Sequence, residues 1–344
     1  MTRLPSQWHF RNFSQMLASY TRVHLLRTGL HLGLFESLRR PKTAVQLAQD
    51  SQLAPDLLQA WLRAAQTQGL IRMARERDRA FVVDGLARWL VESPEAAPLI
   101  ARLDQAVESY GPVFEQMPSL LRGSERPEFS ASPQARRAAE VARWVERPAL
   151  EALIRVPGVR RAKRVLDIGC GYGTYLCGLL LRYRDAHGLG IEQDRDVARV
   201  ATRNLLDAYL QRRAEVRVGE FMSLTLDDGS FDLILLNNNL HYFAPNDRDA
   251  LFRRIHSHLV SGGVLAIQLP VISDRSAARI TGLTATTAAF DLYLRAHSDL
   301  YGLPDLSELH VDLGEAGFET VGETAFLLGG AARYVWGKAG AGPR

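Results

Sequence analysis

The sequence predicts an α/β fold in which a parallel sheet is covered by helices on both faces and is preceded by a mostly helical segment. Two observations predict it. From Arg164 onward, short apolar runs alternate with segments of helical spacing, and the runs are apolar throughout, which is typical of strands buried on both faces. Over the first hundred or so residues, the apolar side chains instead recur mainly at helical spacing. We therefore expect a domain boundary near residue 160.

The composition is that of an ordinary globular protein of 344 residues, with 47% hydrophobic and 23% charged residues. This length is enough for two modest domains. The formal net charge of +4 is weak evidence for an acidic partner, because the arginines are mixed with acids, as in Arg75 to Arg79. No apolar run approaches the roughly 20 residues that span a bilayer, and the polar N-terminus lacks the apolar core of a signal peptide. We expect a cytoplasmic protein that does not act at a membrane.

The N-terminal segment begins with a helix, from about Asn12 to Leu38, that is apolar around most of its circumference. Such a helix must be buried on several sides, which in a small domain predicts a partner subunit and hence a homodimer. Two further helices follow, the first capped by Thr43, and then two strand-like pieces, Leu70 to Met73 and Ala80 to Val83. Helix, turn, helix and a two-stranded wing form the winged-helix pattern.

The segment from about residue 94 to residue 160 is again helical in pattern. It is interrupted by the polar stretch Gly123 to Pro133, which is a candidate lid. We therefore divide the chain into a winged-helix dimerisation domain (1–100), a helical connector with a substrate lid (101–160) and a cofactor-binding domain (161–344).

The glycine-rich turn "VLDIGCGYGT" joins the first strand of the sheet to the first helix. In an open α/β sheet, ligands bind beyond the carboxyl ends of the strands, so this turn lies where a ligand is expected. Gly169, Gly171 and Gly173 permit a tight turn and a close approach of the backbone. The spacing differs from the dinucleotide fingerprint, no lysine follows, and Asp167 would repel a phosphate. A cofactor with positive charge fits better, and S-adenosylmethionine, with its ammonium and sulfonium groups, meets that demand.

Acidic residues lie at the ends of three successive strands, and each could bind a different part of this cofactor. Besides Asp167, Glu192 ends the second strand next to Gln193, where a carboxylate can accept both ribose hydroxyls. Glu220 ends the third strand and could accept from the adenine amino group, with Phe221 or Met222 on the ring face. We expect these side chains to form the cofactor site.

With these motifs in this order, the chain resembles the class I S-adenosylmethionine-dependent methyltransferases, specifically the small-molecule O-methyltransferases with an N-terminal winged-helix dimerisation domain. The resemblance covers nearly the whole chain. It implies a Rossmann-like, seven-stranded sheet whose last strand, Ala332 to Lys338, is antiparallel. It also implies a dimer in which the first helices interlock.

The resemblance also implies roles for residues after the fourth strand, "FDLILLNNNLHYF". Asn237, with Asn238 beside it, matches a polar residue that contacts the cofactor. His241 matches a histidine that deprotonates the substrate hydroxyl, which suits an imidazole near neutral pH. Tyr242 and Phe243 replace the usual Asp and Trp. The family's orienting glutamate falls near Leu303 and is missing, so we weigh a base role for His241 against a binding or structural role; Asp305 and Glu308 are the nearest substitutes.

The substrate is expected to be small, largely apolar and planar. The segment from Thr281 to Asp305 gives an amphipathic, aromatic-rich helix over the methyl donor, although core packing alone would also explain such a stripe. No metal is expected: His256 and His258 point to different sides of a helix, and Cys170 and Cys177 lack metal-ligand or disulfide-scaffold spacing.

Other classes of protein fit less well. A DNA-binding regulator is disfavoured because Arg63 is the only basic residue of the would-be recognition helix. A nucleic-acid methyltransferase is disfavoured because the fourth strand lacks the Asn/Asp-Pro-Pro-aromatic motif. The glycine spacing disfavours an NAD-dependent dehydrogenase. A C-methyltransferase, or a relative that binds the cofactor without transferring methyl, stays open as the alternative to O-methylation.

Overall fold

The structure, a computed structural model, describes residues 7–74, 79–129, 145–273 and 275–340. The chain divides into two compact units, residues 1–109 and residues 110–344, which we call the N-terminal and C-terminal units.

The N-terminal unit consists of helices around one two-stranded hairpin. Its helices are α1 (Gln7–His31), α2 (Leu34–Ser37), α3 (Ala44–Ser51), α4 (Pro55–Thr67), α5 (Gly85–Glu92) and α6 (Ala97–Gln105). Strands β1 (Ile71–Met73) and β2 (Phe81–Val83) pair antiparallel, as the sequence predicts. Thr43 caps α3 in a reciprocal capping box with Gln46. The core of this unit is built around the fully buried side chains of Phe35, Leu47 and Leu62.

Helix α1 exposes large apolar side chains along its N-terminal half. Those with more than a third of their surface exposed are Trp8, Phe10, Phe13, Met16, Leu17 and Tyr20. The single helix predicted up to Leu38 is wrong in its extent, because Gly33 adopts a left-handed φ of 63° and separates α1 from α2. Only Leu26 and Gly29 of α1 are buried. The chain by itself therefore leaves most of the apolar surface of α1 in solvent.

Short helices lead into the sheet of the C-terminal unit. After a π-helical turn (Ala106–Tyr110) come α7 (Gly111–Glu115), α8 (Met117–Leu120), α9 over residues 145–153 and a 3₁₀ turn (Val159–Arg161). Of the candidate lid, residues 123–129 have no regular secondary structure, and residues 130–133 lie outside the described residues.

The C-terminal unit contains the predicted seven-stranded sheet. Its strands are β3 (Arg164–Ile168), β4 (His187–Glu192), β5 (Ala214–Val218), β6 (Phe231–Asn237), β7 (Leu259–Pro270), β8 (Phe318–Phe326) and β9 (Ala332–Ala339), in the order β5-β4-β3-β6-β7-β9-β8. All neighbouring pairs are parallel except those of β9, which is antiparallel to β7 and β8, as the resemblance implies. Strand order reverses at β3, because the chain continues to β4 on one side and returns to β6 on the other.

Helices cover both faces of the sheet. They are α10 (Thr174–Arg182), α11 (Arg195–Asp207), α12 (Arg248–His258) and α15 (Leu306–Glu315). Helices α13 (Ser276–Ile280) and α14 (Leu283–Arg295) lie in the chain between β7 and α15. Two clusters of buried apolar residues form: one includes Leu176 and Leu235, the other Ile234 and Phe252. Since successive strand residues point to opposite faces, Ile234 and Leu235 assign the clusters to the two faces. Among the described residues, no helix is long and apolar enough to cross a membrane.

Candidate cofactor and substrate site

The glycine turn lies where the strand order reverses, at the carboxyl end of β3. Gly169, Gly171 and Gly173 have φ values of 64°, 54° and 72°, the left-handed region that side chains with a Cβ rarely adopt. A Cβ on Gly169 would also lie 2.3 Å from Nδ2 of Asn239. Both conformation and space therefore require glycine at this position, and the tight turn leads directly into α10.

Asp167 is fully buried beneath this turn. Its Oδ1 accepts a hydrogen bond from Nδ2 of Asn237 at 3.2 Å, whereas Oδ2 has no hydrogen-bond partner among the residues that the structure describes. Burial raises the pKa of the Asp167 carboxyl to about 7; the hydrogen bond from Asn237 opposes this shift and the charge of Glu192 adds to it. A buried carboxylate with one open oxygen is an acceptor for a cationic donor.

Asn237 connects Asp167 to the last strand of the sheet. The hydroxyl of Tyr334 lies 3.3 Å from Oδ1 of Asn237 and 3.5 Å from Oε1 of Gln268, and all three side chains are buried. The amide of Asn237 thus joins Asp167 to Tyr334, and cofactor contact by Asn237 stays a prediction. Tyr334 and Gln268 were not predicted as site residues, since only the pairing of β7 with β9 brings them opposite each other.

Glu192, at the end of β4, hydrogen-bonds to the glycine turn. Its Oε2 accepts from the backbone N–H of Gly171 at 2.9 Å and its Oε1 from the N–H of Asp194 at 3.0 Å. Burial raises the pKa of the Glu192 carboxyl, and these hydrogen bonds oppose the shift. The predicted residue Gln193 is exposed directly after it. Asp167 and Glu192 thus converge on one turn.

Glu220 and Phe221 follow β5 but differ in environment. Glu220 is exposed and accepts from Oγ of Ser223 at 3.4 Å. Phe221 is almost completely buried, with the Arg254 guanidinium carbon 5.3 Å from its ring centre and the ring of His258 edge-on at 6.0 Å. The structure gives Phe221 a core role, and the packing of an adenine ring on it stays a prediction.

Two asparagines after β6 hold the loop beside the glycine turn. Asn238 adopts a positive φ of 53°, and its N–H donates to the carbonyl of Gln268 at 2.9 Å. Asn239 donates from Nδ2 to the carbonyls of Ile168 and Gly169 at 3.0 and 2.9 Å. Asn237 and Asn238 were predicted as site residues and Asn239 was not, although the run of three asparagines was an available signal.

His241 lies in a 3₁₀ turn (Leu240–Tyr242) at the same edge of the sheet and is only 7% exposed. Burial, with a further contribution from the positive charge of Arg248, lowers the pKa of its imidazole to about 3. The ring packs edge-on against Phe290 with centroids 5.6 Å apart. His241 is therefore neutral at physiological pH and has acceptor capacity, but its protonated form is strongly disfavoured.

The rings of Tyr242 and Phe290 contact this histidine, and Phe290 begins an aromatic stripe. Phe290, Tyr293 and His297 recur at helical spacing along and just beyond α14, on one side of the helix. The ring of Tyr293 stacks on Tyr110 at 4.4 Å, and the ring of His297 meets Phe129 edge-on at 5.6 Å. The expected aromatic-rich helix is thus present, and its apolar stripe faces the loops around His241.

The suggested substitutes for the missing glutamate partner do not contact His241. Asp305 caps α15 by accepting from the N–H groups of Ser307 and Glu308. No ion pair or hydrogen bond of the described residues joins Asp305 or Glu308 to the imidazole, which leaves the base role of His241 a prediction.

Comparison with known proteins agrees with this geometry. Residues 165–263 match the protein family described as "Methyltransferase domain". A curated trans-aconitate 2-methyltransferase of Delftia acidovorans is 31% identical over 43% of this chain and 53% of its own length. The chain thus spans about half the length of the curated relative it matches.

Solved structures resemble the chain over almost its whole length. An O-methyltransferase family protein from Burkholderia thailandensis gives a TM-score of 0.77 at 20% identity, covering 99% of this chain and 100% of its own. Human N-acetylserotonin methyltransferase in complex with SAM also gives 0.77, at 15% identity over 99% and 100%. At such identities the likeness establishes the fold.

The sheet order and these structural neighbours define a class I methyltransferase fold. The match of residues 165–263 to the methyltransferase-domain family bears out the methyl-donor cofactor expected from the glycine turn and its acids.

Proposed function

We propose that the chain is a methyltransferase that transfers the methyl group of S-adenosylmethionine to a hydroxyl of a small, largely apolar and planar molecule. The observation that carries this proposal is the open oxygen of the fully buried Asp167 beneath the glycine turn. An open carboxylate at this depth suits a cationic cofactor and opposes a phosphate.

The residues present fit the cofactor. Asp167 would accept from its ammonium group, and the turn Gly169 to Gly173 would let it approach the backbone. Glu192 would accept from the ribose hydroxyls, and Glu220 from the adenine amino group. The bound cofactor supplies a methyl group on a positively charged sulfur, which a nucleophile attacks. The chain's own contribution is to hold both reactants in line and to exclude water, and positioning of this kind supplies much of the rate.

His241 would accept the hydrogen bond of the substrate hydroxyl. A neutral, buried imidazole can accept a hydrogen bond, but with a pKa of about 3 it is a weak base and does not readily take up the substrate's proton. This favours an acidic hydroxyl, whose proton is given up readily. The rings of Phe290, Tyr293 and Tyr110 would contact the planar face of the substrate.

A C-methyltransferase, or a relative that binds the cofactor without methyl transfer, is the second candidate. One observation favours it: no carboxylate among the described residues hydrogen-bonds the imidazole of His241. Carbon nucleophiles such as enolates depend less on a dedicated base, so this arrangement would suit them.

Incubation of the pure protein with isotope-labelled S-adenosylmethionine and a panel of phenols, quinones, macrocycles and α-keto acids tests the proposal. Mass spectrometry would detect methylated products, and NMR would place the label on oxygen or carbon. A labelled O-methyl product supports O-methylation, whereas a C-methyl product supports the second candidate. Absence of any labelled product would favour the non-methylating relative.

We further propose that residues 1–100 form a winged-helix dimerisation domain, with residues 101–160 as connector and lid and residues 161–344 holding the cofactor. The support for the homodimer is the row of exposed apolar side chains on α1, from Trp8 to Tyr20. Light scattering should give twice the chain mass, and replacing Phe13 and Tyr20 together by Ser should give monomers. A wild-type monomer at micromolar concentration would contradict the dimer.

A further inference from the structure

A basic cavity lies at the amino ends of the central strands, at the edge of the sheet opposite to the glycine turn. It has a volume of about 720 Å³, within the range of small-molecule sites. The segment that leads into β3, the start of β6 and the first residues of β7 line it. The length of β3, five residues or about 16 Å, separates this edge from the proposed cofactor site.

Among the described residues that line the cavity, four are cationic and one is acidic. The cations are Arg155, Arg160, Arg161 and Lys338, and the acid is Asp232. The three arginines belong to a run of ten residues, 155–164, that contains five cationic residues and no acid. Lys338 is brought to the same edge because it pairs with Val264 near the start of β7. The lining therefore carries a net positive charge.

The cations keep hydrogen-bond donors that the chain does not use. Nη2 of Arg155 donates to the carbonyl of Ala325, and Nε of Arg160 donates to the carbonyl of Ile154, both at 3.1 Å. These bonds restrain the two guanidinium groups and leave their other N–H groups open. Within the part of the chain that the structure describes, none of the four cations forms an ion pair.

Asp232 is the competing acceptor within the cavity. Its Oδ2 accepts from the backbone N–H groups of Lys163 and Arg164 at 3.0 and 2.8 Å, which holds the carboxylate at the start of β3. One carboxylate leaves most of the positive charge of the lining uncompensated. An anion from outside the chain would reduce the repulsion among the cations.

A bulge in β7 forms one wall of the cavity. Residues 260–263 stand opposite Asp232 alone, between two regular pairs of β6 and β7. Gly262 in this bulge has a left-handed φ of 74°, and a Cβ added there would meet no atom within 4 Å. The space beside the bulge is therefore open to a ligand.

Two linked phosphate groups suit this lining better than a single carboxylate. Guanidinium groups bind phosphate oxygens through paired hydrogen bonds. A phosphate carries about −1.5 to −2 charges at pH 7, and a second phosphate adds to this, so a diphosphate compensates several cations. The cavity is larger than a diphosphate and has apolar lining from Ile154, Pro157 and Val260, which leaves room for a nucleoside.

We propose that this cavity binds a nucleoside diphosphate. The diphosphate lies on Arg155, Arg160 and Arg161, and the nucleoside packs on the apolar wall. The site is separate from the proposed cofactor and substrate site, because it lies at the other edge of the sheet.

Calorimetry with the full-length protein tests the proposal, with ADP, adenosine and inorganic pyrophosphate as probes and no divalent cation present. The double variant Arg160→Gln/Arg161→Gln removes two adjacent, exposed cations from the cavity. The matched control is Arg39→Gln/Arg40→Gln, which removes an adjacent, exposed pair from the N-terminal unit and changes the net charge equally. Because all four arginines are exposed, both double variants should fold, and thermal unfolding without ligand checks this.

We expect the wild type to bind ADP more tightly than adenosine by about ten-fold, the scale of one charge-assisted hydrogen bond. Arg160→Gln/Arg161→Gln should abolish this preference, and Arg39→Gln/Arg40→Gln should leave it unchanged. Asp232→Asn keeps an acceptor for the two backbone N–H groups but removes the negative charge, so it should tighten ADP binding. Pyrophosphate should bind more weakly than ADP.

Three results would overturn the proposal: absence of ADP binding, equal binding of ADP and adenosine, or an equal loss of ADP affinity in the two double variants. The last would show unspecific attraction by the net charge. Pyrophosphate that binds as tightly as ADP would overturn the assignment of a nucleoside to the cavity.

S-adenosylhomocysteine separates this cavity from the proposed cofactor site. The affinity for ADP should be the same with and without it, whereas displacement of ADP would place ADP in the cofactor site and overturn the proposal. Binding of S-adenosylhomocysteine is measured in the same series, so a failure of the proposed function would appear there independently of the ADP result.

Discussion

The amide of Asn237 donates to Oδ1 of Asp167 at 3.2 Å, across the junction of β6 and β3. This bond orients the carboxylate at the point where the strand order of the sheet reverses. The other oxygen, Oδ2, is left without a partner among the described residues. The central carboxylate of the site is thus positioned before any cofactor arrives, at a cost to the stability of the free protein.

Asp167→Asn should stabilise the protein without cofactor at alkaline pH. The pKa of Asp167 is raised to about 7, so between about pH 4 and pH 7 the native state keeps a proton that the unfolded state has lost. The free energy of unfolding therefore falls as pH rises through that window, by about 3 to 5 kcal/mol for a shift of this size. The Asn variant lacks this fall.

Urea unfolding at pH 5 and pH 8 measures the greater part of this fall, about 2 to 3 kcal/mol. Asp185→Asn is the control, because Asp185 is exposed between α10 and β4. A wild type and Asp167→Asn variant with the same change between the two pH values would refute the raised pKa of Asp167.

Glu192→Ala should weaken the binding of S-adenosylhomocysteine by about 1 to 3 kcal/mol, the scale of lost hydrogen bonds to a charged group. The loss has two sources: the ribose acceptor disappears, and the N–H of Gly171 loses its partner. Calorimetry measures the dissociation constant. Glu215→Ala, an exposed carboxylate on β5 paired with Arg217, should leave it unchanged; equal constants for Glu192→Ala and wild type would remove Glu192 from the site.

Gly169→Ala should destabilise the protein by more than the cost of its backbone conformation. A left-handed φ costs a residue with Cβ about 1 to 2 kcal/mol, and here the new Cβ would also meet Asn239. Gly229→Ala is the matched control, with a φ of 60° and no atom within 4 Å of the added Cβ. Asn239→Ala alone loses two hydrogen bonds to the turn, so a double-mutant cycle is needed: in the Asn239→Ala background, Gly169→Ala should cost less than it does in the wild type.

Urea unfolding of the single and double variants measures these costs. Equal destabilisation by Gly169→Ala and Gly229→Ala would show that Asn239 does not pack against the turn.

Features that depend on residues close together in the sequence could be predicted, whereas features that depend on contacts between residues far apart in the sequence could not. The glycine turn, the strands, and Asp167 and Glu192 at the ends of two strands depend on local pattern and lie where predicted, whereas Glu220 lies two residues beyond the end of β5 and is exposed. The predicted extent of the first helix was wrong, because the presence of a glycine in the sequence does not by itself determine where a helix ends. Tyr334, Gln268 and Asn239 were missed because their contacts with Asn237 and Gly169 depend on pairing between distant strands.

His241→Gln should leave S-adenosylhomocysteine binding intact and lower turnover by about 10²- to 10⁴-fold if His241 is the base. Raising the pH should partly restore turnover of an acidic phenol, because the substrate then ionises by itself. Steady-state kinetics on an active substrate measures both effects. Near-normal turnover would make His241 structural and favour catalysis by positioning alone.

The same variant has an independent readout in stability. Since the pKa of His241 is lowered to about 3, the unfolded state binds a proton below about pH 6.5 that the native state does not. The contribution of His241 to the free energy of unfolding should therefore fall by about 2 kcal/mol between pH 7 and pH 5, opposite in sign to that of Asp167, and the difference between the wild type and His241→Gln isolates it. His187→Gln, which removes an exposed histidine at the start of β4, should behave as the wild type.

The most direct test of the central claim is calorimetric titration of the protein with S-adenosylmethionine at pH 6.5, in two buffers of different ionisation enthalpy, with NAD as the competing ligand. Because the Asp167 carboxyl is largely protonated at this pH and a cation favours its charged form, binding should release a fraction of a proton. We predict binding of S-adenosylmethionine with this proton release, loss of both in Asp167→Asn, and no binding of NAD. Binding of NAD without binding of S-adenosylmethionine, or undiminished methyl-donor binding by Asp167→Asn, would contradict the account.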